Sequence, residues 1–301
     1  MDDLIYHYTD ANALKNIISE NELWLTHTDY LNDYSEGKQF YLILKDVLKE
    51  FPDIIKLVDF VESTTETYCL SFSKNGDLLS QWRGYCPPLG GYSLGFLDNI
   101  LSSSFGIIDA TEKDIHHGNI EDEKVNQVNF FAYIECKYTE KDTLAAAEHV
   151  ANILKKSYKI LCSKNSLALT TYLGSGLSDL EEEDIDEINN LLVSGSGWFH
   201  NYSAAKMSFK DVSFIEEAEK RLFINVKKGY VDAFYRTKNS VLVPYLKFKF
   251  KDKFFKKIII GPTADKNLAH AGIQHYLHNH FGNSVDLRSF IKLSKIPFRS
   301  S

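Results

Sequence analysis

No apolar run in this 301-residue chain approaches the roughly 20 residues that a membrane-crossing helix needs. The opening stretch, MDDLIYHYTD, is acidic and has neither the basic n-region nor the apolar h-region of a secretory signal. Cysteine is sparse and poorly spaced for metal. Cys69, Cys86, Cys136 and Cys162 form no CxxC pair and have no His-rich companion, so reduced, buried thiols are expected and a zinc site is not. These absences together point to the cytoplasm. The familiar catalytic signatures are missing too: no GxGxxG or GxxxxGK[ST] to cradle a phosphate, no HExxH and no GxSxG. HAGIQHYLHNH places His270, His275, His278 and His280 on or near one helix. The step from His270 to His275 misses a shared helical face, and only His275 and His278 have ligand spacing, so no metal is expected.

What is present suffices for a folded core. The chain is 44% apolar and 25% charged, close to the globular average, and its 20 Phe and 17 Tyr supply bulk where Met and Pro are few. The net charge of −7 conceals an asymmetry. Between Lys206 and Lys257 there are 14 Lys and Arg against 6 Asp and Glu, or +8, leaving −15 elsewhere. Such a basic segment can neutralise the phosphates of a dinucleotide or a nucleic acid. Equally, LKFKFKDKF alternates as an exposed strand face does.

Periodicity sets out the elements. LIYHYT (4–9) reads as a strand, Asp10 as the N-cap of a helix over 11–20, and ELWLTH as a second strand. A helix is expected over 38–50, a strand over 67–73, and a Gly-Pro-rich bend before the extended YSLGF. A strand over 129–138 precedes a helix over 141–162 with Leu144, Ala147, Val150, Ala151, Leu154 and Tyr158 along one side. DLEEEDIDEINNLLV reads as an amphipathic helix that SGSGWFHNYS breaks. RLFINV, GYVDAFYRT and LVPYLKFKF are spaced as successive antiparallel strands. KKIIIGPTA follows as a buried strand, then a helix over 264–280. Strands gather at both ends and helices in the middle, which is an α+β pattern and not a doubly wound one. No linker divides it, so one domain over 1–301 is expected, with 140–200 as a helical insertion or subdomain.

Three clusters can build a polar cleft. In YHYT, His7 and Thr9 share a strand face, suited to a ribose or simply to a polar sheet rim. Trp82 and Tyr85 lie three apart and can stack on a planar ring or pack in the core. In FIEEAEKRLFINV, Glu217, Glu219 and Arg221 alternate along one face of a strand begun by 217, and Leu222, Ile224 and Val226 along the other. Two close carboxylates raise each other's pKa and a neighbouring arginine lowers them. That row can bond a ribose 2′-OH or steady a developing cation, and an exposed edge with an internal Arg–Glu pair would read the same. Glu216 is left facing solvent.

These stretches resemble a bacterial family, domain-of-unknown-function family 2971. The resemblance runs through YLNDYSE (Asn32, Asp33, Glu36), LSFSKNGDLLSQWRGY and YSLGF. It continues with Lys210 followed by Phe214, Glu217, Glu219 and Arg221, and ends on IIIGP and SKIPFR. It spans most of the chain outside about 100–200. Ser71 stands where the family usually has Cys, Tyr34 where it has Pro, and Lys220 where it has an aromatic. The pattern is in turn similar to the ADP-ribosyltransferase superfamily. That likeness implies a mixed, mainly antiparallel split sheet with flanking helices, and NAD as substrate with no metal. It implies His7 and Thr9 on the adenosine-side ribose, and Tyr85 (less well Tyr92) against nicotinamide. Glu219 would sit on the nicotinamide ribose with Glu217 in support, and Trp82, Arg221 and Lys210 would be among the NAD-contacting residues. The activity implied is ADP-ribosyl transfer to a protein or nucleic acid, or NAD hydrolysis. Toxin and anti-phage effector roles, with a neutralising partner, belong to that class. The alternative is a non-catalytic nucleic-acid-binding or nucleotide-sensing module that uses the basic 206–257 region.

Overall fold

The computed structural model describes residues 3–31, 37–87, 90–100, 107–109, 131–194, 198–229, 231–238, 240–282 and 287–297. Asn32, Asp33, Tyr34 and Glu36 of the family-like turn, and Phe298 and Arg299 of the closing motif, lie outside them.

The chain begins β1 (Leu4–Thr9), α1 (Ala11–Glu20), β2 (Glu22–His27), each with the bounds read from periodicity. Asp10 fixes the start of α1 by accepting the Ala13 N–H at 2.8 Å, and Asn21 ends it in the left-handed region (φ 53°). Next come α2 (Lys38–Val47), α3 (Pro52–Thr64), β3 (Thr65–Ser73), α4 (Leu79–Tyr85), β4 (Tyr92–Leu97), β5 (Ile107–Asp109) and β6 (Phe131–Glu135). The helices α5 (Glu140–Cys162), α6 (Leu167–Ser175), α7 (Glu182–Ser194) and α8 (Trp198–Ser208) follow. The chain then returns to the sheet with β7 (Glu219–Lys227), β8 (Phe234–Lys238), β9 (Val241–Lys249) and β10 (Phe255–Ile260), and closes with α9 (Lys266–Phe281), α10 (Leu287–Phe290) and β11 (Ile291–Leu293).

The strands form one open, mixed α/β sheet in the order β11-β10-β4-β1-β3-β2-β9-β5, with β7 beside β3 and β6, and β8 beside β9. Among the described residues only β10 and β11 run parallel. Two expectations change here. The segments β7, β8 and β9 are not sheet neighbours in succession: β7 pairs along its full length with β3, from Thr65↔Lys227 to Ser73↔Glu219, and only β8 and β9 form a hairpin. WFHNYS does not break helical structure but opens α8, because Trp198, Phe199 and Tyr202 are buried against the other helices.

Both faces of the sheet centre are covered. Leu222, Ile224 and Val226 of β7 join Ile5, Leu25, Leu70 and Phe96 in a core closed by α1 and α9. Each such side chain contributes about 1.5–3 kcal/mol on burial. Phe223 and Cys69 face the other way and meet Met207 of α8. Helices α5 to α8 share a second apolar core with α2 and α3, so the helical unit expected over 140–200 recruits residues 38–64 as well. Leu144, expected on the packed side of α5, is exposed, whereas Ala147, Val150, Ala151 and Leu154 are buried. No helix of the described residues is long and apolar enough to cross a membrane.

Candidate active site

The sheet splits where β1 and β2 both leave β3. β1 meets β3 at Tyr6↔Ser73 and β2 meets it at Thr26↔Cys69 and His27↔Tyr68. Leu70, Ser71 and Phe72 lie between these registers, so neither neighbour completes the ladder there. A cleft of about 400 Å³ opens at the gap, within the roughly 300–1,000 Å³ of small-molecule sites. A smaller lobe of about 60 Å³ adjoins it, and His7, Ser71, Tyr85 and Glu219 line both. The released Ser71 carbonyl is not wasted: it lies 3.1 Å from His7 Nδ1. A carbonyl only accepts, so Nδ1 carries the proton and Nε2 is left as an acceptor. Burial lowers the His7 pKa from 6.5, the Ser71 bond opposes this, and the Arg236 charge adds to the lowering, so the imidazole is neutral at pH 7.

The carboxylates come together by a route that simple alternation does not describe. β7 starts at Glu219, not at 217. Glu217 ends a 3-10 turn over Val212–Glu217, and Ala218, in the left-handed region at φ 42°, swings the chain into the strand. Lys210 then joins the two acids, donating to Glu217 Oε2 at 2.6 Å and Glu219 Oε2 at 2.8 Å. Arg221 grips Glu219 from behind, Nε to Oε1 at 2.8 Å and Nη2 to Oε2 at 2.9 Å, while Nη1 donates to the Met207 carbonyl. Burial alone would push the Glu219 carboxyl up, but the Arg221 guanidinium and the Lys210 ammonium outweigh it and hold the pKa at about 2. Glu219 is therefore an anion across the physiological range and a poor base.

The structure sorts the remaining candidates. Thr9, Lys210 and Tyr85 line the main cleft with His7 and Glu219, and Tyr85 is 40% exposed. Glu217 faces the smaller lobe. Arg221 lines neither lobe and is only 1% exposed, because α8 covers the face that its alternation left open. It holds Glu219 and does not reach a ligand. Trp82 is also withdrawn: it packs edge-on against Tyr8 at 4.7 Å and donates Nε1–H to Asp77 at 2.8 Å. Glu216 is exposed, as expected. Ser71 and Arg236 are the wall residues that the sequence reading passed over. His275, His278 and His280 are exposed on α9, and among the described residues no group of three or more His, Cys, Asp and Glu is placed to hold a metal.

Part of the basic segment is matched by carboxylates within the fold. Of its 14 cations, Lys206, Lys210, Lys220, Arg221, Lys227 and Lys247 form ion pairs, with Glu62, Glu217/Glu219, Asp98, Glu219, Asp186 and Glu22 respectively. The charge asymmetry of the sequence is thus in part an internal match between the sheet and its surroundings. Comparison with protein-family models, with curated proteins and with solved structures finds no match.

Proposed function

We propose that this chain is an NAD-consuming enzyme of the ADP-ribosyltransferase-like class, related to domain-of-unknown-function family 2971, with its reaction centre where the two lobes of the cleft meet. The observation that carries the reading is that Glu219, a permanent carboxylate, lies in one cavity wall with a neutral His7 and an exposed Tyr85. Scission of NAD asks for those three features. Tyr85 offers a face for the nicotinamide ring. The lone pair of Glu219 Oε1 not used by Arg221 can accept the ribose 2′-OH. As the C1′–N bond breaks, its electron pair passes to the pyridinium nitrogen, and neutral nicotinamide leaves a ribosyl oxocarbenium ion. A fixed anion beside that cation stabilises it without reorganisation. Water or an acceptor side chain then adds to C1′ and gives up a proton. Glu219 is too weak a base to take it, which leaves Glu217, in the adjoining lobe, as the carboxylate for that step. His7 Nε2 and Thr9 suit the hydroxyls of the second ribose.

The test is nicotinamide release from NAD, alone and with cell lysate. Wild type should release it and Tyr85→Ala should lose most of the rate while staying folded. No release under either condition would remove the reading. A non-catalytic nucleic-acid-binding role draws less support, because six of the cations it would need are paired internally.

A further inference from the structure

Among the described residues the three buried cations have carboxylate partners, in contrast to one half-buried arginine. Lys210, Lys220 and Arg221 each meet an acid within 3 Å. Arg236 does not. It projects from β8 into the wall of the main cleft, where its Nη2 donates to Thr26 Oγ1 at 2.9 Å. Its Nε–H is buried and has no acceptor among the described residues. The guanidinium carbon lies 5.9 Å from the centroid of Trp24, which itself stacks on Tyr245 at 4.2 Å. The fork is thus held in place by an aromatic and a hydroxyl, neither of which cancels its charge. A guanidinium has five N–H donors and cannot deprotonate, so a half-buried one with unused donors lacks an anionic acceptor.

We propose that Arg236 is the phosphate-binding residue of the cleft, and that the site takes a ligand with a nucleoside-diphosphate group. This rests on the reading of the cleft as a nucleotide site, and adds to it the group that holds the diphosphate. Arg236 lines only the main lobe, while Glu219 stands where the lobes meet, so the diphosphate lies in the main lobe and away from the bond that breaks. The neutrality of His7 fits this placement, since Arg236 then needs no counter-charge against a second cation. A planar fork matches two phosphate oxygens, which an ammonium in the same place would not. Besides Glu219 and Glu22, which is paired with Lys247, the main lobe is lined by the carboxylate of Asp10. Its Oδ1 is engaged by the Ala13 N–H, and it lies close enough to be felt at Arg236 without forming a salt bridge. Its charge limits affinity for an anion, which makes it a second handle on the site.

Calorimetry with ADP, ADP-ribose, inorganic pyrophosphate and adenosine separates the contributions. ADP and ADP-ribose should bind, pyrophosphate more weakly, and adenosine least. Arg236→Gln should weaken ADP by roughly 10- to 100-fold, the scale of charge-assisted hydrogen bonds, and Arg236→Lys should recover only part of it. Asp10→Asn, which keeps the helix cap, should tighten ADP. Circular dichroism confirms that each variant is folded. ADP binding equally to wild type and Arg236→Gln would overturn the proposal, as would adenosine binding as tightly as ADP, or no binding of any diphosphate. Nicotinamide release measured on the same samples keeps the two ideas apart. Release with Arg236-independent ADP binding leaves the NAD reading standing and removes this one. Arg236-dependent ADP binding without release does the reverse.

Discussion

Lys210 stands between Glu217 and Glu219, its ammonium 2.6 Å from the first carboxylate and 2.8 Å from the second. Without it, two acids would face each other across a buried turn. Lys210→Met should therefore destabilise the fold by about 3–5 kcal/mol at pH 7, the usual effect of stranding a buried charge. The loss should shrink as pH falls. Without the ammonium between them the two carboxylates repel across the turn, and a proton on either relieves that repulsion in the folded state. Urea unfolding of wild type and variant at pH 7 and pH 5 measures this, and a difference that does not narrow toward pH 5 would contradict it.

Glu219 sets the opposite dependence in the wild type. Its folded pKa of about 2 lies below the ordinary 4.5. Its contribution to stability is complete above 4.5 and is lost as pH falls through about 2. Acid unfolding should steepen in that window, and Glu219→Gln should flatten the same part of the curve. The substitution also leaves Arg221 without its carboxylate, so a lower melting temperature at pH 7 is expected beside any loss of turnover. If the cleft turns over NAD, the rate of nicotinamide release should show no inflection from Glu219 between pH 4 and pH 8.

Ala218 carries the strain that brings the two acids together. An alanine at φ 42° costs about 1–2 kcal/mol relative to a right-handed conformation, and glycine does not bear this cost. Ala218→Gly should stabilise the protein by about 0.5–1 kcal/mol after the added freedom of its unfolded chain is counted. Thermal unfolding reports the sign directly. A fall in melting temperature would show that the methyl group has a packing role greater than the strain.

Local signals were legible in the sequence, and the partners of each element were not. Asp10 as the cap of a helix over 11–20, with LIYHYT and ELWLTH as strands, gives β1, α1 and β2 without further help, because each depends only on neighbours along the chain. The helix α3 is harder to read. Ile54, Leu57, Val58, Phe60 and Val61 are all buried, so its apolar positions surround much of the helix and the polar face that marks periodicity is narrow. Of the row Glu217, Glu219 and Arg221, the last two share a face of β7, whereas Glu217 precedes the strand. That Arg221 meets α8 while Glu219 on the same face lines the cleft depends on a helix docking from outside the strand. Arg236 illustrates the same limit. Only the β8–β9 hairpin, carried to β2 by β9, places it opposite Thr26 and Trp24.

Trp82 and Tyr85 sit three residues apart on α4 and should respond in opposite ways to the same substitution. Trp82 is 5% exposed, wedged against Tyr8 and Ile259 and tied to Asp77. Trp82→Ala removes that packing and leaves the Asp77 carboxylate short of a donor, so a loss of about 3–5 kcal/mol is expected. Tyr85 is 40% exposed at the cleft, and Tyr85→Ala should cost under about 1 kcal/mol of stability. If Tyr85 carries the nicotinamide ring, that nearly neutral change should raise the KM for NAD and lower the rate together, since stacking both holds the ring and orients the bond to be broken. Tyr85→Phe, which keeps the ring and loses the hydroxyl, should retain most of the activity. A Tyr85→Ala protein with wild-type kinetics would move the nicotinamide site elsewhere in the cleft, whatever the outcome at Glu219.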